Sequence, residues 1–283
     1  MTGLRRVRHE EKDVLVFAAS GGLHPLGATL ADLLGAGVDA LFVAVDRSLG
    51  RPPLLGDVEA LPPVDYQEVW ASGVTYERSR EARVDEAVVK NAYDLVFEAE
   101  RPELFMKMAG WRLPAPGAPL RIRGDSTWDV PEPELALVLT AEGEIAGYLV
   151  ADDVSSRSIE GENPLYLAQA KIYDDSLGLS DTIVLARDVG DMVRDARIVL
   201  TITREGEEAF RGETSTSAMR RRFEELAEYL FRELSHPYGA VLLTGTGLVP
   251  PDDFTLEPGD LVEIAIEGVG TLRHGVYRGG HPR

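Results

Sequence analysis

Asp125-Ser-Thr-Trp-Asp-Val-Pro-Glu132-Pro-Glu134-Leu-Ala-Leu-Val-Leu139 reads as a loop that feeds a β-strand. Side chains alternate faces along a strand, so Glu132 and Glu134 point one way. Leu135, Leu137 and Leu139 take the opposite side, which suits a core. Pro131 and Pro133 remove backbone donors and place this end of the strand at a sheet edge or mouth. Two like charges side by side repel unless a cation or strong donors hold them. The stretch therefore predicts a core strand whose first turn carries a candidate metal site.

Working outward, Gly143 supplies a hairpin turn and Ile145-Ala-Gly-Tyr-Leu-Val-Ala151 the return strand, which ends in Asp152-Asp153. In an antiparallel pair the start of one strand neighbours the end of the other. Three carboxylates can thus converge at one rim, with Asp152 and Asp153 equal candidates for the third. Such a set without a soft ligand fits Mg²⁺ first, with Mn²⁺ or Ca²⁺ as alternatives, and leaves positions open to water or substrate. Taken alone, Glu-x-Glu on a strand is usually a solvated face; the hairpin partner favours the metal. Lys171 is the only lysine between Lys107 and the C-terminus. Beside an acidic metal centre it can anchor an anion or act as a base; by itself it reads as a surface lysine. Thr244-Gly-Thr-Gly247 follows the buried strand Val241-Leu-Leu243 and offers hydroxyls and free N–H groups to a carboxylate. A plain turn is the alternative.

The 283 residues are 44% hydrophobic, enough for a packed core, and carry a net charge of -19 from 48 acidic and 29 basic residues. That balance argues against nucleic-acid binding and against docking on anionic membrane. With no cysteine there is no disulfide and no thiolate site. No apolar run approaches the roughly 20 residues of a membrane span, and no signal peptide opens the chain, so the expected location is cytoplasmic. Asp13–Ala19 and Val38–Val45 read as strands flanking a short helix at Gly27–Leu34, and the Gly- and Pro-rich passage from Leu49 to Pro63 as a boundary. This predicts a small α/β N-terminal domain, 1–63, and a catalytic domain, 64–283. Apolar residues recur at three and four from Ser79 to Glu100 and again from Ser217 to Leu234, giving two helices. Ser155–Ala170 reads as a loop over the site. Extended segments are expected at Pro102–Lys107, Thr182–Ala186, Ala196–Arg204, Glu208–Glu213, Asp260–Ile266 and Gly270–Tyr277. Many short strands with few helices indicate a β-rich α+β fold rather than alternating βαβ units.

The ordered set Pro102-x-x-Phe105-x-Lys107, Glu132-x-Glu134-Leu135, Gly147-Tyr148, Asp153-Val-Ser155, Lys171, Leu243-Thr-Gly-Thr-Gly247 and Pro258-Gly-Asp260 resembles the fumarylacetoacetate hydrolase family. The resemblance implies a mixed β-roll catalytic domain that binds Mg²⁺ through Glu132, Glu134 and Asp153, preferring Asp153 to Asp152. It also implies a homo-oligomer, dimer or tetramer. Acylpyruvate hydrolases of the family carry Asn-Tyr-x-x-His-x-x-Glu. Here Ser79 stands at the histidine position and Ala82 at the glutamate position, and a serine cannot accept a proton at neutral pH as imidazole can. Gly73–Arg83, Asp125–Leu135 and Asp152–Tyr166 are similar to the branch that dehydrates 2-keto-3-deoxy sugar acids. That branch implies a Mg²⁺-dependent hydro-lyase acting on a small 2-oxo acid such as a 2-keto-3-deoxypentonate, giving 2,5-dioxopentanoate. The candidate catalytic residues are Lys171 and Glu103; Arg78, Ser79, Lys107 and Thr246 are candidates for binding substrate. The alternatives are hydrolysis of an acylpyruvate or β-diketone, and metal binding without catalysis.

Overall fold

Both faces of Pro133–Leu139 are buried, so this strand lies inside the molecule and its two residue sets enter two different cores. A computed structural model describes residues 1–76 and 95–280. Its N-terminal part comprises β1 (Gly3–His9), β2 (Lys12–Ala19), β3 (Gly22–Pro25), α1 (Leu30–Gly35), α2 (Val38–Ser48) and β4 (Glu59–Ala60). The four strands form an antiparallel sheet in the order β3-β2-β1-β4. After them come β5 (Glu68–Gly73), β6 (Glu103–Ala109), β7 (Leu120–Ile122), β8 (Asp129–Val130), β9 (Pro133–Leu139), β10 (Ile145–Asp153) and β11 (Ser155–Ser156). Next are α3 (Arg157–Glu162), α4 (Leu167–Lys171), β12 (Leu177–Leu179), β13 (Val184–Leu185), α5 (Ala186–Val189), β14 (Arg197–Arg204) and β15 (Glu207–Ser215). The remainder is α6 (Phe223–Phe231), β16 (Ala240–Leu243), β17 (Leu261–Ile266) and β18 (Gly270–Arg278).

The central sheet runs β12-β10-β9-β16-β5-β6, with β13 also on β10, and the second large sheet runs β15-β14-β17-β18-β7. Leu135, Leu137, Leu139, Tyr148 and Val150 pack toward Ile198, Leu200, Ile264, Leu272 and the Phe223–Leu230 face of α6. The opposite residues of the same strands, Ala136, Val138, Leu149 and Ala151, join Leu4, Phe17, Leu30, Leu34 and Leu41 of the N-terminal part. The central sheet is thus covered on both sides, which is why its strands carry apolar residues at successive positions. The expected β-rich α+β class is what the chain adopts. No helix among the described residues is long and apolar enough to cross a membrane.

Local differences from the sequence reading have physical causes. Val38–Val45 is not a strand: α2 buries Leu41, Val45 and Ser48 on one face, a three-to-four spacing that overrides the β-branched content. Pro133 opens an interior strand rather than an edge one, at the first position, where a missing N–H breaks least of the ladder. The last predicted helix begins at Phe223, because Thr216–Ala218 is a 3₁₀ turn and Met219 bridges to Tyr76. Ser155–Ala170 is mostly helical rather than a loop, with α3, a 3₁₀ turn at Pro164–Tyr166 and most of α4. The helix expected from Ser79 lies largely outside the described residues; residues 95–98 are helical.

Candidate active site

The β9–β10 register pairs Ala151 with Glu134, Val150 with Leu135 and Asp152 with Pro133. Asp153 therefore shares the face of Ala151 and Glu134, whereas Asp152 turns with Val150 into the opposite core. Pairing continues past the strand: the Asp153 N–H donates to the Glu132 carbonyl at 3.0 Å. Glu132, Glu134 and Asp153 are each at most 2% exposed, and one oxygen from each lies within 4.8 Å of the others.

Cations surround this cluster. Lys171 Nζ donates to Glu132 Oε2 at 2.6 Å, Asp153 Oδ2 at 3.1 Å and Ser155 Oγ at 2.5 Å. Lys107 Nζ lies 2.5 Å from Asp153 Oδ1 and donates to the carbonyls of Val154 and Lys171. Arg157 Nη2 donates to Glu132 Oε1 at 2.8 Å, and its Nε lies 3.9 Å from Glu160. Burial, then Asp153 and Glu132, push the Glu134 carboxyl well above its ordinary range. Burial pulls the Lys107 ammonium down, against the raising effect of Asp153.

This donor set fits a hard divalent ion: three buried carboxylates crowd together with no soft ligand, and their mutual repulsion adds to burial in disfavouring the charge on Glu134. With every group ionised, four carboxylates (Glu160 included) exceed the three cations of Lys107, Lys171 and Arg157 by one. A divalent cation would turn this single net negative charge into a single positive one, which suits an anionic ligand.

Glu132, Glu134, Asp153 and Lys171 line a narrow pocket, together with Gly73, Phe105, Arg157, Gly245 and Thr246. Glu103 pairs with Gly73 across β5 and β6, and its Oε2 occupies the space a Cβ on Gly73 would take. Thr246 stands in the pocket wall, its hydroxyl donating to the Leu248 carbonyl at 2.9 Å. Lys107 stands behind Asp153, outside the residues that line the pocket. Arg78 and Ser79 lie outside the described residues. Arg157 and Ser155 were missed by reasoning from the sequence. The signal for both was their position within four residues of Asp153, in a segment read as a loop.

The Thr-Gly-Thr-Gly loop is held by the Thr75 hydroxyl, which donates to the Thr244 carbonyl at 2.7 Å, and by the Gly245 N–H, which donates to Glu134 Oε2 at 2.5 Å. Gly245 has φ 89°, and a Cβ there would come 2.1 Å from Thr75 Oγ1. Gly245→Ala is expected to cost about 2–4 kcal/mol of stability, from left-handed strain plus overlap. Urea unfolding measures this loss.

Asp129, three residues before Glu132, is fully buried, with Arg278 Nη1 3.8 Å away. Burial pushes its carboxyl up to about 6. The native state therefore holds this proton more tightly than the unfolded chain. The associated stability is fully present below about pH 4 and is lost as pH rises through about 6. The loss is on the order of 2–3 kcal/mol. Asp129→Asn is expected to flatten that slope in unfolding curves recorded from pH 4 to pH 7.

Comparison with known proteins gives a consistent picture. A family model described as fumarylacetoacetate (FAA) hydrolase C-terminal matches residues 69–277. A probable 2-keto-3-deoxyxylonate dehydratase of Haloferax volcanii is 49% identical over 220 residues, covering 78% of this chain and 75% of the relative. A 2-dehydro-3-deoxy-D-arabinonate dehydratase of Saccharolobus solfataricus is 42% identical over 230 residues, covering 80% and 77%. Among solved structures, a 2-keto-3-deoxy-D-arabinonate dehydratase complexed with magnesium and 2,5-dioxopentanoate superposes with a TM-score of 0.81. It is 33% identical and covers 98% of this chain and 99% of that one.

Proposed function

As the chain belongs to the fumarylacetoacetate hydrolase family, we propose that it is a Mg²⁺-dependent dehydratase of 2-keto-3-deoxypentonates, forming 2,5-dioxopentanoate. The observation that carries this reading is the buried Glu132–Glu134–Asp153 triad with the Lys171 ammonium set among its oxygens. It is supported by the dehydratase relatives, which match most of the chain, and by the magnesium and product held in the solved relative. Glu132, Glu134 and Asp153 hold the cation. When bound, it supplies Lewis-acid polarisation of the substrate's carboxylate and 2-oxo oxygens, which acidifies C3.

The rest falls to side chains of this chain. Lys171 exchanges the proton at C3, at the end of a side chain fixed by Glu132, Asp153 and Ser155. Glu103, packed against Gly73, which lines the pocket, gives the proton with which the C4 hydroxyl leaves as water. The remaining C3=C4 bond then tautomerises: C3 and C4 become saturated and C5 passes from alcohol to aldehyde, so one water is lost in total. Thr246, with Arg78 and Ser79, binds the substrate's carboxylate and hydroxyls, and Lys107 adds positive charge from behind Asp153. We place catalysis in residues 64–283, with residues 1–63 buttressing the central sheet, and expect the chain to work as a homo-oligomer.

The test is a panel of 2-keto-3-deoxy acids, with acetylpyruvate as control, assayed with Mg²⁺ and with EDTA. Consumption of a 2-keto-3-deoxypentonate with loss of one water, abolished by EDTA, is expected. Release of pyruvate from acetylpyruvate with no dehydration would replace this reading by the hydrolytic one.

A further inference from the structure

We infer that Asp152 and His274 are positioning residues that hold Glu132 in place for the cation, an inference that rests on the ligand assignment proposed above. Asp152 is adjacent to Asp153 yet faces the other way, into the core between the two large sheets, where it is fully buried. A carboxylate there is costly without a partner. The partner comes from the far end of the chain: His274 on β18 is buried, and its Nε2–H donates to Asp152 Oδ2 at 2.8 Å. The His274 Nδ1 lies 2.9 Å from the Gly275 carbonyl oxygen.

The other oxygen of Asp152 carries the argument to the site. Asp152 Oδ1 accepts the Glu132 N–H at 2.9 Å. Pro131 and Pro133 on either side have no N–H, so this is the one backbone donor of the Pro-Glu-Pro run. The Glu132 carbonyl is held from the opposite direction by the Asp153 N–H at 3.0 Å. The Glu132 backbone is thereby clamped by both halves of the Asp152-Asp153 pair, and His274 sets the angle of the half that faces the core. Partners of this kind orient metal ligands, and their loss commonly weakens metal affinity 10- to 100-fold, by about that factor in known sites.

The experiment is Mg²⁺ titration by calorimetry on wild type, His274→Leu and His274→Gln, with folding checked by thermal unfolding in EDTA. His274→Leu, folded, should bind Mg²⁺ about 10- to 100-fold more weakly. His274→Gln keeps a donor toward Asp152 and should bind within about threefold of wild type. Wild-type affinity in folded His274→Leu, or an equal loss in both variants, overturns the inference. If His274→Leu does not fold, Asp152→Ala and Asp152→Asn decide. Asp152→Ala removes the acceptor of the Glu132 N–H and should bind Mg²⁺ about 10- to 100-fold more weakly, whereas Asp152→Asn keeps an amide oxygen there and should stay within about threefold. Wild-type affinity in Asp152→Ala, or an equal loss in both, overturns the inference. Wild-type protein that takes up no Mg²⁺ removes the ligand assignment itself, whereas unchanged variants of a binding wild type remove only the positioning role.

Discussion

Glu134→Gln is expected to lower kcat/KM by about a thousandfold or more while leaving the fold intact. A cation that polarises the substrate contributes several kcal/mol to the barrier, and this exchange removes one of its three anionic ligands. The amide has the size of the acid and can still accept the Gly245 N–H, so the loop keeps its anchor. In EDTA the variant should be at least as stable as wild type, because Glu134 is buried against Asp153 and Glu132 and gains nothing from its charge there. The stabilisation that Mg²⁺ gives the wild type, about 2.7 kcal/mol at a hundred times Kd, should disappear. Thermal melts with Mg²⁺ and with EDTA, beside kinetics, measure both effects. A variant that keeps its Mg²⁺-dependent melting shift and its turnover would show that Glu134 is no ligand.

Lys171→Met should separate chemistry from metal binding. Loss of a group that moves the C3 proton costs about 10²- to 10⁴-fold in kcat. The same change removes the cation that bridges Glu132 and Asp153, leaving the buried carboxylates less compensated. The metal-free protein should lose about 3–5 kcal/mol of stability. Mg²⁺ should restore much of it and bind at least as tightly as in wild type, since a competing positive charge has gone. Steady-state kinetics and Mg²⁺ titration on one preparation test both halves. A raised KM with kcat unchanged would reduce Lys171 to an anchor for the substrate anion.

Much of the central hairpin was legible because its signals are local. The period of two in Glu132–Leu139 and the turn at Gly143 bring the carboxylates together without reference to the rest of the chain. The misread segments are those where a local pattern was ambiguous. Val38–Val45 is apolar enough for a strand, and only its packing of Leu41 and Val45 against the N-terminal core makes it helical. Ser155–Ala170 is rich in Ser, Asn and Gly, yet Arg157 finds Glu132 and the segment turns into helix around that pair. Arg78 and Ser79, named as substrate contacts, lie outside the described residues.

By itself, the order of residues determined a β-rich α+β fold, an acidic rim on one hairpin and a lysine fit to serve it, because alternation, turns and charge act over a few neighbours. Only the tertiary structure decided which of two adjacent aspartates joins Glu132 and Glu134, since that depends on which core each face meets. It also decided that Arg157 and Lys107 crowd the rim and that His274, 122 residues from Asp152, supports it from below. Contacts of that separation are set by how sheets stack, and no periodicity along the chain carries them.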